Sequence, residues 1–121
     1  MIRRAAVLAV AAALTVGSGT AWAATFPTNV SIQFVPGGAR DVFKGVVSSP
    51  NNNCISHRRV RLLRRDAGPD TVIDRDRSED NGRWNIDVEG GAAPGTYYAR
   101  VAAKDIGPDT CAGAKSGTVT V

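Results

Sequence analysis

The chain is predicted to be all-β: a seven-stranded antiparallel Greek-key β-sandwich closed by one disulfide. Three observations carry that expectation. Apolar and polar residues alternate in short runs such as Trp84-Asn85-Ile86-Asp87-Val88, the period of a half-buried strand. Clusters of Gly, Pro, Asn and Asp separate the runs at intervals of roughly 8–12 residues, the spacing of a sandwich. Beyond residue 24, no apolar pattern of helical period appears.

Residues 1–23 stand apart. Arg3 and Arg4 precede an apolar run from Ala5 to Val16, a small polar stretch from Gly17 to Thr20, and Ala21-Trp22-Ala23. This is the layout of a secretory signal peptide cut after Ala23. The run is shorter than the roughly 20 apolar residues that a membrane span needs. Residues 24–121 are therefore expected to be a single exported domain with no membrane span, and the Ala-rich leader has a bacterial look. Loss of Arg3 and Arg4 leaves 13 basic residues against 11 acidic ones, a net charge of +2 where the whole chain carries +4. So small a surplus is a weak reason to expect a polyanion partner.

The strands follow in order. Val30, Ile32 and Phe34 alternate with Ser31 and Gln33 in the first, which Pro36-Gly37-Gly38 ends. Phe43, Gly45 and Val47 share one face of the second, and Val60 and Leu62 alternate with Arg59 and Arg61 in the third. Thr71 to Arg77 form the fourth, while Trp84, Ile86 and Val88 give the fifth its apolar face. Tyr97, Ala99, Val101 and Ala103 alternate with Tyr98, Arg100 and Lys104 in the sixth, and Val119 and Val121 end the seventh. Among the turns, Asn81-Gly82 predicts a tight hairpin between the fourth and fifth strands, because both residues tolerate positive φ.

Cys54 and Cys111 are the two cysteines. An even count in an exported chain predicts a disulfide. With strands alternating in direction, the loops that hold the two residues lie at the same end of the sandwich. Such a bridge is worth about 4 kcal/mol in chain entropy, a large share of a total stability of roughly 5–15 kcal/mol.

The order and spacing of three short motifs resemble the carboxypeptidase regulatory-like domains, which are prealbumin-like (transthyretin-like) sandwiches related in plan to immunoglobulin domains. The motifs fall at Phe43-Gly45-Val47, at Asn81-Gly82-Trp84 and at Pro94-Gly95-Tyr97-Tyr98, within a match spanning about residues 42–103. The resemblance implies a non-catalytic accessory or binding module. No catalytic domain is expected beside it within residues 24–121, and no family residue carries over as a ligand contact.

Residue patterns for catalysis and metal binding are thin. Cys54 and His57 are three apart, which on a strand sends their side chains to opposite faces, and Cys54 is needed for the bridge. His57 is the single histidine, and no Gly-x-Ser-x-Gly elbow accompanies it. No cofactor or metal is expected. The nearest approach to a calcium loop is Asp74, Asp76, Glu79 and Asp80. It fails the EF-hand pattern, with Glu79 where Gly belongs and Asn85 where Glu belongs. Zinc has too few ligands. Asn29-Val30-Ser31 fits a glycosylation sequon, a triplet common by chance.

The basic run is the one feature with a functional reading. Arg58, Arg59, Arg61, Arg64 and Arg65 crowd residues 54–65, followed by six acids and two arginines in residues 66–80. No aromatic residue interleaves the run, as stacking on nucleic acid requires, so no nucleic-acid partner is expected. Two arrangements are open. If the third and fourth strands pair, arginine meets aspartate across the ladder, at about 0.2–1 kcal/mol per pair. If instead the third strand neighbours the sixth while the fourth joins the other sheet, Arg59, Arg61, Arg65, Tyr98, Arg100 and Lys104 share an open basic face. Such a face suits an acidic glycan or cell-envelope polymer. The expected function is thus a secreted, non-catalytic binding module for an acidic polysaccharide or another protein. A structural envelope protein acting through an edge strand is the alternative, and a small hydrolase stands last.

Overall fold

The computed structural model describes residues 22–121; the leader apart from Trp22 and Ala23 lies outside the described residues. Eleven strands appear among them: β1 (Thr25–Phe26), β2 (Asn29–Val30), β3 (Gln33–Val35), β4 (Arg40–Ser48), β5 (Arg59–Arg64), β6 (Thr71–Arg77), β7 (Arg83–Glu89), β8 (Thr96–Val101), β9 (Lys104–Ile106), β10 (Asp109–Cys111) and β11 (Ala114–Thr120). A 3₁₀ turn spans Asn52–Cys54. No helix among the described residues is long and apolar enough to cross a membrane.

The fold is all-β and sandwich-like. One sheet runs β11-β8-β5-β6; in the other, β4 pairs with β2 and β3 on one side and with β7 on the other. Both are antiparallel throughout. A small sheet, β9-β10-β1, closes one end, with β1 parallel to β10. The count exceeds seven for identifiable reasons. The first expected strand breaks into β2 and β3 because the Ser31 hydroxyl accepts the Val46 N–H at 2.9 Å, in place of a backbone carbonyl. The sixth stops at Val101, so Lys104 belongs to β9 rather than continuing the face of Arg100.

The core forms where the apolar faces of the two large sheets meet. Phe43 and Val47 from β4 and Trp84 and Ile86 from β7 face Val60 and Leu62 from β5 and Tyr97, Ala99 and Val101 from β8. The Phe43 ring lies 4.8 Å from that of Tyr97 and 5.0 Å from that of Phe34, centroid to centroid, a packing distance typical of aromatic pairs. Gly45 is required on this face: a Cβ there would fall 1.9 Å from the Ser31 carbonyl oxygen.

The Asn81-Gly82 turn does not form the expected hairpin. The Gly82 N–H donates to the Glu79 carbonyl at 2.9 Å, and Gly82 has φ +87°, so the turn itself is present. The strands it joins, β6 and β7, belong to different sheets. The Gly82 carbonyl accepts the Val47 N–H at 2.8 Å, which draws the chain towards β4 and away from β6.

Cys54 and Cys111 form the disulfide, with Cα atoms 5.5 Å apart, within the usual range. Beside it sits Arg58, with only 1% of its surface exposed. Its Nη1 donates to the Thr28 hydroxyl at 3.0 Å and to the Cys54 carbonyl at 2.7 Å. Its Nη2 donates to the carbonyls of Ala102 and Ala112 at 2.8 and 2.9 Å. One guanidinium thus ties four segments together at the disulfide end. Burial lowers its pKa from the usual arginine value, yet arginine remains charged at ordinary pH.

Arg58→Ala removes one buried and three partly buried hydrogen bonds and should destabilise the domain by about 3–5 kcal/mol in chemical denaturation. Arg58→Lys should recover little of this, since a single ammonium cannot reproduce the planar fork. A denaturation midpoint for Arg58→Lys close to wild type would show that charge alone suffices.

Candidate functional site

Strand β5 pairs on one side with β6 and on the other with β8. The two arrangements open from the sequence are therefore both incomplete: the third expected strand neighbours the fourth and the sixth together. Alternation along β5 sends Val60 and Leu62 into the core and leaves Arg59 and Arg61 exposed. The register then sets arginine against arginine. Arg59 lies opposite Arg77 and Arg61 opposite Arg75, whereas Asp76 and Asp74 lie opposite Val60 and Leu62. The expected Arg–Asp ladder is absent because the acids of β6 fall on the other face of the sheet.

The row extends across the whole sheet. Arg61 is opposite Arg100 on β8, and Arg100 is opposite Lys115 on β11. Arg75, Arg61, Arg100 and Lys115 form one line perpendicular to the strands, with Arg77 and Arg59 in a second line beside it. All six are exposed, and none has an ion-pair partner among the described residues. The pairs found there are Arg40 with Asp87 and Glu89, His57 with Asp80, and Arg64 with Asp66. Asp76 instead accepts the Asn85 N–H of β7 at 2.8 Å.

Two shallow grooves open on this face. Arg59, Arg61, Arg75 and Arg77 surround one of about 500 Å³, with Val60 and Asp76 between them. The other, also about 500 Å³, has Arg61, Arg100 and Lys115 around Val101, Ala102, Gly113 and Ala114.

The remaining residues expected on the face are arranged differently. Tyr98 is 4% exposed, opposite Leu63 on β5. Its hydroxyl donates to Asp70 at 2.5 Å, and the Lys115 ammonium lies 5.2 Å from its ring centroid. It is a support beneath the cations rather than an open stacking platform. Arg65 follows the end of β5, where its charge acts on Asp70 and Tyr98. Lys104 donates to the Ser56 carbonyl at 3.2 Å and lines an adjoining pocket with His57, Arg58, Arg59 and Arg77. Arg75, Arg77 and Lys115 were not expected on the face. The signal for Arg75 and Arg77 was their alternation with Asp74 and Asp76, but their face depends on the pairing register.

Other candidate chemistry finds little support in the geometry. His57 Nε2 lies 3.6 Å from Asp80, both largely exposed, and the nearby Ser78 hydroxyl donates to the Ile55 carbonyl at 2.6 Å. Asp74, Asp76, Glu79 and Asp80 do not converge; among the described residues no group of three His, Cys, Asp or Glu side chains is placed to hold a metal ion. Comparison with protein-family models and with curated proteins gave no match.

Two predictions follow from these contacts. Like charges directly opposite on a ladder destabilise it, so Arg61→Gln should raise the stability of the unliganded protein at low salt by up to about 0.5 kcal/mol, with the gain shrinking as salt screens the row. A loss of stability in denaturant titration would mean that the Arg61 stem contributes packing that outweighs the repulsion. The Tyr98–Asp70 hydrogen bond lowers the carboxyl pKa and raises that of the phenol. Its contribution is present above the ordinary carboxylate range and fades as pH falls through the lowered Asp70 value. At the alkaline end it is present below the ordinary tyrosine value and fades as pH rises through the raised Tyr98 value. The stability difference between wild type and Tyr98→Phe should therefore be greatest around neutral pH and shrink in acid; a difference constant down to strong acid would contradict this.

Proposed function

We propose that this protein is a secreted, non-catalytic module that binds an acidic glycan or cell-envelope polymer through the outer face of the β11-β8-β5-β6 sheet. The observation that carries the reading is the line Arg75–Arg61–Arg100–Lys115. Placing like charges opposite one another on three successive strand pairs costs stability, and local violations of that kind are expected where a surface serves a ligand. Guanidinium forks suit carboxylate and phosphate groups bidentately, and cations border both grooves on this face. Export to an oxidising exterior fits the Cys54–Cys111 bridge.

The resemblance to carboxypeptidase regulatory-like domains supports the same class of role, and we read the two large sheets as a Greek-key sandwich of that immunoglobulin- and prealbumin-like kind. The alternative, edge-strand pairing with a partner in the envelope, is less favoured. Edge strand β6 is bulged at Ile73, opposite Leu62 and Leu63 of β5, and carries Asp74 and Asp76 opposite core residues; edge strand β11 is bulged between Lys115 and Thr118. Both devices discourage strand addition. Hydrolysis has the least support, for want of a nucleophile beside His57.

The test is binding of the exported protein to immobilised polygalacturonate and to neutral dextran over a salt series. Arg59→Gln, Arg61→Gln and Arg100→Gln combined should weaken polygalacturonate binding by about tenfold or more and flatten its salt dependence. Lys44→Gln with Arg83→Gln, on the other sheet, should leave it unchanged. Equal retention on dextran, or no loss in the triple variant, would overturn the reading.

A further inference from the structure

Resting on that reading, we propose that the polymer lies across the strands, with successive acidic sugars meeting successive strands, and that Arg61 is the residue shared by two adjoining subsites. Neighbouring strands are about 4.8 Å apart, so the four cations of the line span about 14 Å. Along one strand, by contrast, outward positions recur every 6.7 Å or so, and each strand offers at most two cations to the face. The transverse direction alone presents four in unbroken order, at a step comparable to one pyranose ring.

The grooves divide this path. On the β6 side four guanidinium groups surround a groove, which suits the more highly charged part of the ligand. On the β8–β11 side, Arg61, Arg100 and Lys115 stand around Ala102, Gly113 and the backbone of Val101 and Ala114, which leaves room for a sugar ring beneath a carboxylate held at the rim. Arg61 walls both grooves and is flanked by cations on both ladders. Lys104 lies off the line of four cations, in an adjoining pocket that shares Arg59 and Arg77 with the first groove.

Titration calorimetry with di-, tetra- and hexagalacturonate tests this. Affinity should rise by about tenfold from dimer to tetramer and little beyond, and Arg61→Gln should cost more than Lys115→Gln, with Lys104→Gln near wild type. Circular dichroism confirms that each variant is folded. A dimer that binds as tightly as the tetramer, or an Arg61→Gln loss no larger than that of Lys104→Gln, overturns the subsite assignment while leaving acidic-glycan binding intact. Equal binding of a short polyphosphate would overturn the uronate assignment. Failure to bind any acidic polymer would sink both.

A separate observation carries a second inference. The Ala24 backbone nitrogen donates to Asp109 Oδ1 at 2.9 Å, and the Ala24 carbonyl accepts the Thr110 N–H at 2.9 Å. Trp22, just before, is 90% exposed. The geometry points to Ala24 as the mature N-terminus, with its α-ammonium docked on Asp109. Hydrolysis of the Ala23–Ala24 peptide bond leaves a carboxylate on Ala23 and an ammonium on Ala24, converting a neutral hydrogen bond into a charge-assisted one. Asp109 is in β10, which pairs with β1 and ends at Cys111, so processing would tighten the disulfide end.

The exported protein should begin at Ala24 by mass spectrometry. Asp109→Asn, which keeps an acceptor but removes the charge, should lower Tm by several degrees at about pH 6, below the ordinary α-amino pKa of about 7.7–8.0. That difference should vanish in alkaline solution, where the α-ammonium loses its proton and its charge. A different first residue, or a Tm difference that does not change with pH, would overturn the assignment.

Discussion

The buried guanidinium of Arg58 holds the architecture in place. Among the described residues it has no carboxylate partner; four oxygen acceptors from separate segments replace its hydration. Its Nε remains without a partner, so desolvation is incompletely repaid and the site depends on the four bonds that exist. The backbone around it is equally committed. Arg58 N–H donates to the Ser78 hydroxyl at 2.9 Å, Ser78 N–H to the Arg58 carbonyl at 3.0 Å, and His57 N–H to the Ser78 carbonyl at 2.8 Å. This clasp sits immediately before Arg59 and immediately after Arg77. It therefore sets the phase of β5 against β6, and a slip of one residue would reverse the faces of every side chain.

The cationic face is a consequence of that phase. With Arg58 turned inward and Val60 and Leu62 in the core, Arg59 and Arg61 have no other direction to point. The same register carries Arg75 and Arg77 outward and holds Asp74 and Asp76 on the opposite side. Charges that nearly cancel along the sequence are thus separated across the thickness of one sheet, which is how a domain with a small net charge presents a strongly basic surface. The cost is ladder repulsion, moderated by exposure and salt, and by the long arginine stems, which can splay their charged ends apart.

Tyr98 shows the same coupling of support and surface. Its ring fills the outer face next to Leu63, its hydroxyl engages Asp70 from the loop after β5, and Lys115 rests above it. The aromatic that seemed available for a ligand is spent on ordering the end of the cation row. The bulge of β11 contributes too: the Ser116 hydroxyl accepts the Ala99 N–H at 2.8 Å, which keeps β11 bonded to β8 past the irregularity and keeps Lys115 in line with Arg100.

The seven runs expected from the sequence fall on strands of the fold, although the first is divided between β2 and β3 and the sixth ends at Val101; period-two alternation reports directly which residues can be half buried, but did not mark β1 or β10. The cysteine pairing was legible because only two cysteines exist and their loops share one end. The sequence could not decide whether arginine meets aspartate or arginine, because alternating charges on two strands allow either outcome and only the pairing register chooses. Nor could it show that Arg58, one of five arginines in a row of fifteen residues, is buried while its neighbours are not. That depends on carbonyls from residues as distant as Ala102 and Ala112, which the chain brings together only when folded. Local pattern determined the strands and the staple; register and long-range hydrogen bonding, which have no local signature, decided the face.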